Sequence, residues 1–362
     1  MASKKAENEY GNQSIVSLKG ADRVRKRPAV IFGSDGLEGC EHSAFEILSN
    51  SVDEAREGYG DRINMTVYSD HSIEVEDFGR GVPLDWNEKE QRYNWELVYC
   101  ELYAGGKYNN NSDSSSYKYS LGLNGLGACA TQYSSEYMDV RSYKDGKVYE
   151  ISFRKGEPVG AKKKALQIEP ADENRTGTTI KWRPDLEVFT DIAIPLDYYL
   201  DMLKKQSVVN PGIKFHLRWQ TDEGFEEYDF VYENGIIDYV TELAGGTSLT
   251  APVMWSTEAK GRDREDKEDY TLKADVSFCF SNVTSVIEYY HNSSFLEHGG
   301  SPEKAVRSAF VSEIDKYLKS TGKYLKNESK ISFADIEDCL ILVSNSFSTQ
   351  TSYENQTKKA IT

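Results

Sequence analysis

Residues 41–58 read EHSAFEILSNSVDEAREG, and the fold turns on how this stretch is placed. It predicts a helix from about Glu41 to Gly58, with the glycine as its stop signal. At about 100° per residue, Glu46, Asn50, Asp53 and Glu57 fall within about 60° of one another. Phe45, Leu48, Val52 and Ala55 gather on the opposite side. A charged stripe turned to solvent is one reading of that face. Two details pull against it. Asn50 is a poor mid-helix residue, because its amide competes with the backbone. A carboxylate four residues from an amide also suits joint work, with Glu46 polarising a water and Asn50 holding a cation through its oxygen.

Working outward, INMTVYS at 63–69 and SIEVED at 72–77 alternate as paired antiparallel strands around a short Asp-His turn. The second runs into EDFGRGVP at 76–83, where glycines two apart let backbone approach a flat or charged ligand. Asp77, at the strand end, is suited to accept a hydrogen bond from an exocyclic amine, although an acidic turn reads equally well. Gly105-Gly106-Lys107 opens a loop-rich region that closes with Gly122-Leu123-Asn124-Gly125-Leu126-Gly127 ahead of ACATQYSS. Backbone amides entering a helix there would cradle an anion. No GK[ST] follows, so it is not a Walker loop, and it lacks the Rossmann spacing. Further strands are expected at YMDVRSY, KVYEISFR and GTTIKWRP, the first two joined by a hairpin turn at Lys144-Asp145-Gly146. The last begins at Thr176-Gly177-Thr178, which would place a hydroxyl beside a ligand, although threonine is common in strands. Each signal alone is weak; the order of all four is specific.

The chain has 362 residues, enough for two domains. Its 43 basic against 59 acidic residues give −16, which argues against a surface built to neutralise phosphate backbones. Five scattered cysteines and five dispersed histidines suggest neither a disulfide framework nor a metal cage. No apolar run approaches a membrane span and the start MASKKAENEYGNQS is no signal peptide, so a cytoplasmic protein with no membrane partner is expected. From about residue 226 the pattern changes: YDFVYE and LKADVSFCFS read as strands, SPEKAVRSAFVSEIDKYLKS as a helix with Pro302 early, and 257–269 as an exposed loop. The expected division is 1–225 and 226–362.

Taken together, LKGADRVRKRPAVIFG (18–33), FEILSNSVDEA (45–55), EDFGRGVP, YAGGKY, SYKYSLGLNGLG, RTGTTIKWRPD and ENQTKK resemble the ATPase region of bacterial type IIA topoisomerase B subunits, gyrase or topoisomerase IV. The resemblance runs from about Tyr10 to the last residues. It implies an α+β GHKL fold, shared with MutL proteins, heat-shock chaperones and histidine kinases: a mixed sheet covered by helices. A smaller α/β transducer domain follows, cut short at its end. It further implies ATP and Mg2+ as ligands. Glu46 would be the general base and Asn50 the magnesium ligand, with Asp53 beside them. Asp77 would bind the adenine amine with Thr178 assisting, and Arg80, Gly81, Val82 and Pro83 would wall the pocket. Lys107 and the stretch Gly122, Leu123, Asn124, Gly125, Leu126 and Gly127 would hold the triphosphate, with Tyr117 near the adenine edge. Gln356 and Lys358 would reach the γ-phosphate from the second domain. Tyr10 and Ile15 would belong to an arm that wraps a second copy of the chain.

The chain departs from the family pattern at several places. Phe78 and Ser49 replace acidic residues, and Asn124 stands where bacterial members often have histidine. Lys144 takes the place of an arginine, GGSP replaces a GGTH-like pattern, and DIEDCL a DxREGL-like one. The resemblance implies an ATP-operated dimer clamp that homodimerises on ATP and meets the topoisomerase A subunit and DNA through a longer protein. No DNA cleavage is expected from this chain alone. The alternative is a nucleotide-dependent dimerisation module with little turnover. A kinase or chaperone relative would leave the terminal Gln-Thr-Lys unexplained.

Overall fold

The computed structural model describes residues 17–104, 125–262, 264–266, 269–353 and 358–361. Two sheets organise it. The first has nine strands and is mixed. From one edge its main path runs Gly224–Phe230, Lys214–Thr221, Arg62–Val67, Ile73–Asp77, Gly177–Pro184, Ser135–Lys144 and Lys147–Arg154. Only Lys214–Thr221 against Arg62–Val67 is parallel along that path. The expected hairpin at 63–77 forms with Ile63 opposite Asp77. The turn at Asp145-Gly146 has both φ angles positive, 53° and 70°, as a two-residue type I′ connection requires.

The helix Leu37–Arg56 starts four residues earlier than expected and packs on this sheet with Gly127–Tyr133. Leu48, Val52, Met65, Val75, Phe153 and Trp182 are fully buried in the shared core. The stripe of Glu46 and Asp53 is not turned to solvent, since these residues are 5% and 2% exposed; Glu57, past the helix end, is exposed. The helix is enclosed on nearly all sides, which only satisfied polar groups tolerate.

The second sheet has five strands in the order Val253–Gly261, Tyr270–Phe280, Leu340–Ser348, Val286–His291, Ser294–Phe295. Its centre, Leu340–Ser348, is buried at every position. Helix Ser301–Ser320 begins with Pro302 in its first turn, as expected. The helix Leu196–Val209 serves both halves: Tyr199 and Leu203 enter the first core, Val208 and Val209 a second with Ile236, Val240 and Val343.

Two expectations need correction. YDFVYE does not open the second region, because Gly224–Phe230 is the edge strand of the first sheet, paired from Thr221↔Gly224 to Phe215↔Phe230. The Asp222-Glu223 turn folds the chain straight back on itself, so residue 225/226 falls inside a strand. Nor is 257–269 wholly loop. Thr257–Gly261 completes Val253–Gly261, an edge strand exposed along most of its length, where two-faced exposure erases the usual alternation.

Candidate active site

The centre of the site is the Glu46 carboxylate. Gly127 begins the neighbouring helix so close to it that a Cβ there would lie 2.1 Å from Glu46 Oε2. An added methyl would have to push the Glu46 carboxylate aside, so the helix start lies directly against it. Glu46 Oε1 lies 3.2 Å from His42 Nε2, one turn earlier, and 3.3 Å from Lys358 Nζ. Lys358 is 4% exposed and arrives from the second half, 312 positions along the chain. Burial alone would raise the Glu46 carboxyl; the Lys358 charge and the His42 contact outweigh it and hold the group down at about 2. Asn50 Nδ2 donates to the Glu46 carbonyl at 3.1 Å, and Ser49 Oγ to the same carbonyl at 2.9 Å. The departure at Ser49 thus places a small satisfied hydroxyl where a charge would be buried.

Asp77 is another buried carboxylate, 8% exposed at the end of its strand. It accepts from Ser51 Oγ at 3.0 Å, Gly79 N at 3.0 Å and Thr178 N at 3.1 Å. Burial pushes its carboxyl up, and those three donors work against that shift. A carboxylate offers about four lone-pair positions, of which they take three. Gly177, at φ 122°, would drive a Cβ to 2.0 Å from the Asp77 carbonyl, so the Thr-Gly-Thr strand is tied to the Asp-Gly turn by close backbone contact. Val82 N donates to Thr178 Oγ1 at 3.0 Å and Val82 O accepts from Ser142 Oγ at 2.7 Å. Gly81 is half-buried beside it and Pro83 exposed. Arg80 forms a forked pair with Glu54, 2.8 and 3.0 Å, and lies 4.0 Å over the Tyr59 ring. Phe78 is 41% exposed, so that departure leaves an aromatic ring partly in solvent.

The structure thus brings together Glu46, Asn50, Gly125, Leu126, Gly127 and Lys358 at one end, and Asp77, Arg80, Gly81, Val82, Pro83 and Thr178 at the other. Asp53 is buried on the same helix, and its charge acts on Tyr353 of the second half. Tyr10, Ile15, Lys107, Tyr117, Gly122, Leu123, Asn124 and Gln356 lie outside the described residues. His42 was missed by sequence reasoning, which weighed histidines only as metal ligands. Its signal was the spacing: four residues before Glu46 on one helix face. Arg25 of the RKRP segment is also placed, donating to Asp185 at 2.6 Å and to the Tyr133 carbonyl at 3.1 Å.

Among the described residues no group of three His, Cys, Asp or Glu is placed to hold a metal, and no helix is long and apolar enough to cross a membrane. A single amide-bearing donor, Asn50, suits Mg2+, which takes most of its ligands from phosphate and water.

Comparison with known proteins bears on the chain and its fold. The DNA gyrase B family model matches residues 235–362. The gyrase B protein of Thermotoga maritima is 30% identical over 355 residues, covering 98% of this chain and 54% of that protein. Over nearly its whole length the chain is similar to gyrase B proteins. It spans about half the length of the curated relatives it matches. The 43K ATPase domain of Thermus thermophilus gyrase B, solved in complex with an aminocoumarin, superposes with a TM-score of 0.70 at 25% identity, over 95% of this chain and 84% of that one. The topoisomerase IV ATP-binding domain of Francisella tularensis, 24% identical with a TM-score of 0.69 over 95% and 86%, shares the fold. The α+β GHKL architecture is therefore that of the gyrase B ATPase domain.

Proposed function

We propose that this chain binds ATP between Asp77 and Glu46 and hydrolyses it, and that turnover operates a dimer clamp, the entry gate of a type IIA topoisomerase. The observation that carries the reading is the buried Glu46–Lys358 pair, which joins a base candidate on the helix over the first sheet to a cation from the second half of the chain. Phosphoryl transfer to water needs positioning and charge neutralisation more than covalent chemistry, and this pair supplies both. In this reading the fourth lone-pair position of Asp77 accepts the adenine amine, and Thr178 assists through its hydroxyl. Arg80, Gly81, Val82 and Pro83 wall the base, and the Gly125–Gly127 turn faces the phosphates with Lys107 and residues 122–124. Tyr117 would lie at the adenine edge. Asn50 would hold Mg2+, which when bound neutralises phosphate charge. Lys358, with Gln356, leaves Glu46 for the γ-phosphate and so frees the carboxylate to take a proton from the attacking water. Tyr10 and the arm would embrace a second copy on ATP binding, while the topoisomerase A subunit and DNA would be met through the longer protein. We also propose that the chain works as two functional parts, with the boundary placed past the strand ending at Phe230 rather than at 225/226, and a cytoplasmic location.

One observation favours a second reading. A base held at about 2 while paired with Lys358 is a weak proton acceptor. If the pair persists with nucleotide bound, the chain is a nucleotide-dependent dimerisation module with little turnover. Phosphate release, run beside sedimentation with a non-hydrolysable ATP analogue and magnesium, separates the two. Glu46→Ala should lose turnover by at least about a hundredfold and still bind nucleotide. Normal turnover in that variant would exclude Glu46 as the base.

A further inference from the structure

The short hairpin of Val286–His291 and Ser294–Phe295 closes through Asn292 and Ser293, at φ 46° and 64°. A two-residue turn with both central φ positive is type I′, which favours glycine at its second position. Serine there carries a steric cost that glycine would not. Ser293 is nonetheless fully buried, and its backbone and side chain both reach across to the other half. Its hydroxyl donates to Asn210 Oδ1 at 3.0 Å, and its carbonyl accepts from Gln206 Nε2 at 2.9 Å. Gln206 and Asn210 end the helix whose Tyr199 and Leu203 belong to the first core.

The same turn grips the segment that leads to Lys358. Asn292 accepts from Ser348 N at 3.0 Å and donates to the Ser348 carbonyl and Thr351 Oγ1, both at 3.2 Å. The flanking His291 ring contacts Ser346 Oγ and Thr351 Oγ1, each at 2.8 Å, and Tyr353 donates to the His291 carbonyl at 3.3 Å. Tyr353 then bridges Ile361, so the chain is held on both sides of Lys358. Contacts therefore run from the helix that enters the first core through Asn210, Ser293 and the Asn292 turn to Tyr353 and Ile361, three positions from the lysine at Glu46.

We infer that Ser293 is a positioning residue: by fastening the Asn292–Ser293 turn to Asn210, it sets Lys358 against Glu46. This rests on the reading of Lys358 and Glu46 as turnover groups. Ser293→Gly tests it cleanly, because it removes the hydroxyl while giving the turn the residue it prefers. The thermal midpoint should stay level or rise. Without nucleotide, amide exchange across Ser348–Tyr353 and Lys358–Ile361 should accelerate about tenfold, the factor expected for one buried hydrogen bond. Exchange in Ser135–Lys144 and Lys147–Arg154 should not change. With ATP, kcat should fall about tenfold while KM moves less than about twofold. Asn210→Ala should quicken the same segments, and the double variant should add little to either alone. Unchanged exchange in those segments, or fully additive effects, would overturn the fastening. Faster exchange with unaltered kcat would overturn the positioning role. Wild-type protein without phosphate release would sink the turnover reading and the positioning role with it, while the exchange result still decides the fastening.

Discussion

Glu46 and Asp77 are both buried carboxylates, yet their environments drive them in opposite directions: a lysine pulls the first down, and burial lifts the second. Environments that push two titratable groups apart mark division of labour. Gly127 shows how tightly the first is held. Gly127→Ala must displace Glu46, and we expect at least a tenfold loss of turnover with a stability loss of about 1–3 kcal/mol, measured by phosphate release and urea unfolding. His291 offers a test away from the cleft. Burial lowers its ring from 6.5 to about 4, so between these values the unfolded chain binds the proton that the folded one refuses. Stability contributed by neutral His291 is therefore present above about pH 6.5 and lost as pH falls towards 4. Urea midpoints measured across that window should fall more steeply for the wild type than for His291→Gln. Of these residues, Glu46, Asn50 and Asp77 were legible because their motifs have an order. His42 and Ser293 were not, because each matters only through a neighbour that folding supplies.

At the level of elements, regular patterns were read correctly and edge strands were not. The Lys144-Asp145-Gly146 turn announced itself, since few residues accept positive φ in succession. Nothing but ordinary contact surrounds Gly146, the nearest atom being 3.5 Å from an added Cβ. Gly146→Ala should therefore cost about 1 kcal/mol through its φ alone. Chemical denaturation should register that loss while turnover stays level. By contrast, Gly224–Phe230 and Val253–Gly261 are largely exposed on both faces, so no buried face imprinted a period of two. Their assignment depended on a turn and on pairing partners, which local pattern does not encode.

Across the whole molecule, the candidate site draws on both halves, since Lys358 of the second lies against Glu46 of the first. Lys358→Ala removes the sole lysine drawn against Glu46 among the described residues and leaves a buried charge without its main counterpart. We expect turnover to drop by about tenfold or more and analogue-driven dimerisation, followed by sedimentation, to weaken. Unchanged values for both would remove the lysine from the scheme. The order of synthesis gives the same pair another meaning. A ribosome releases Glu46 long before Lys358, which follows 312 positions later. Throughout that interval the nascent first sheet holds a carboxylate shaped for burial with its main counter-charge still unmade. Water must remain on it until the later segment arrives, so the docking of Lys358 is also the step that dries the carboxylate.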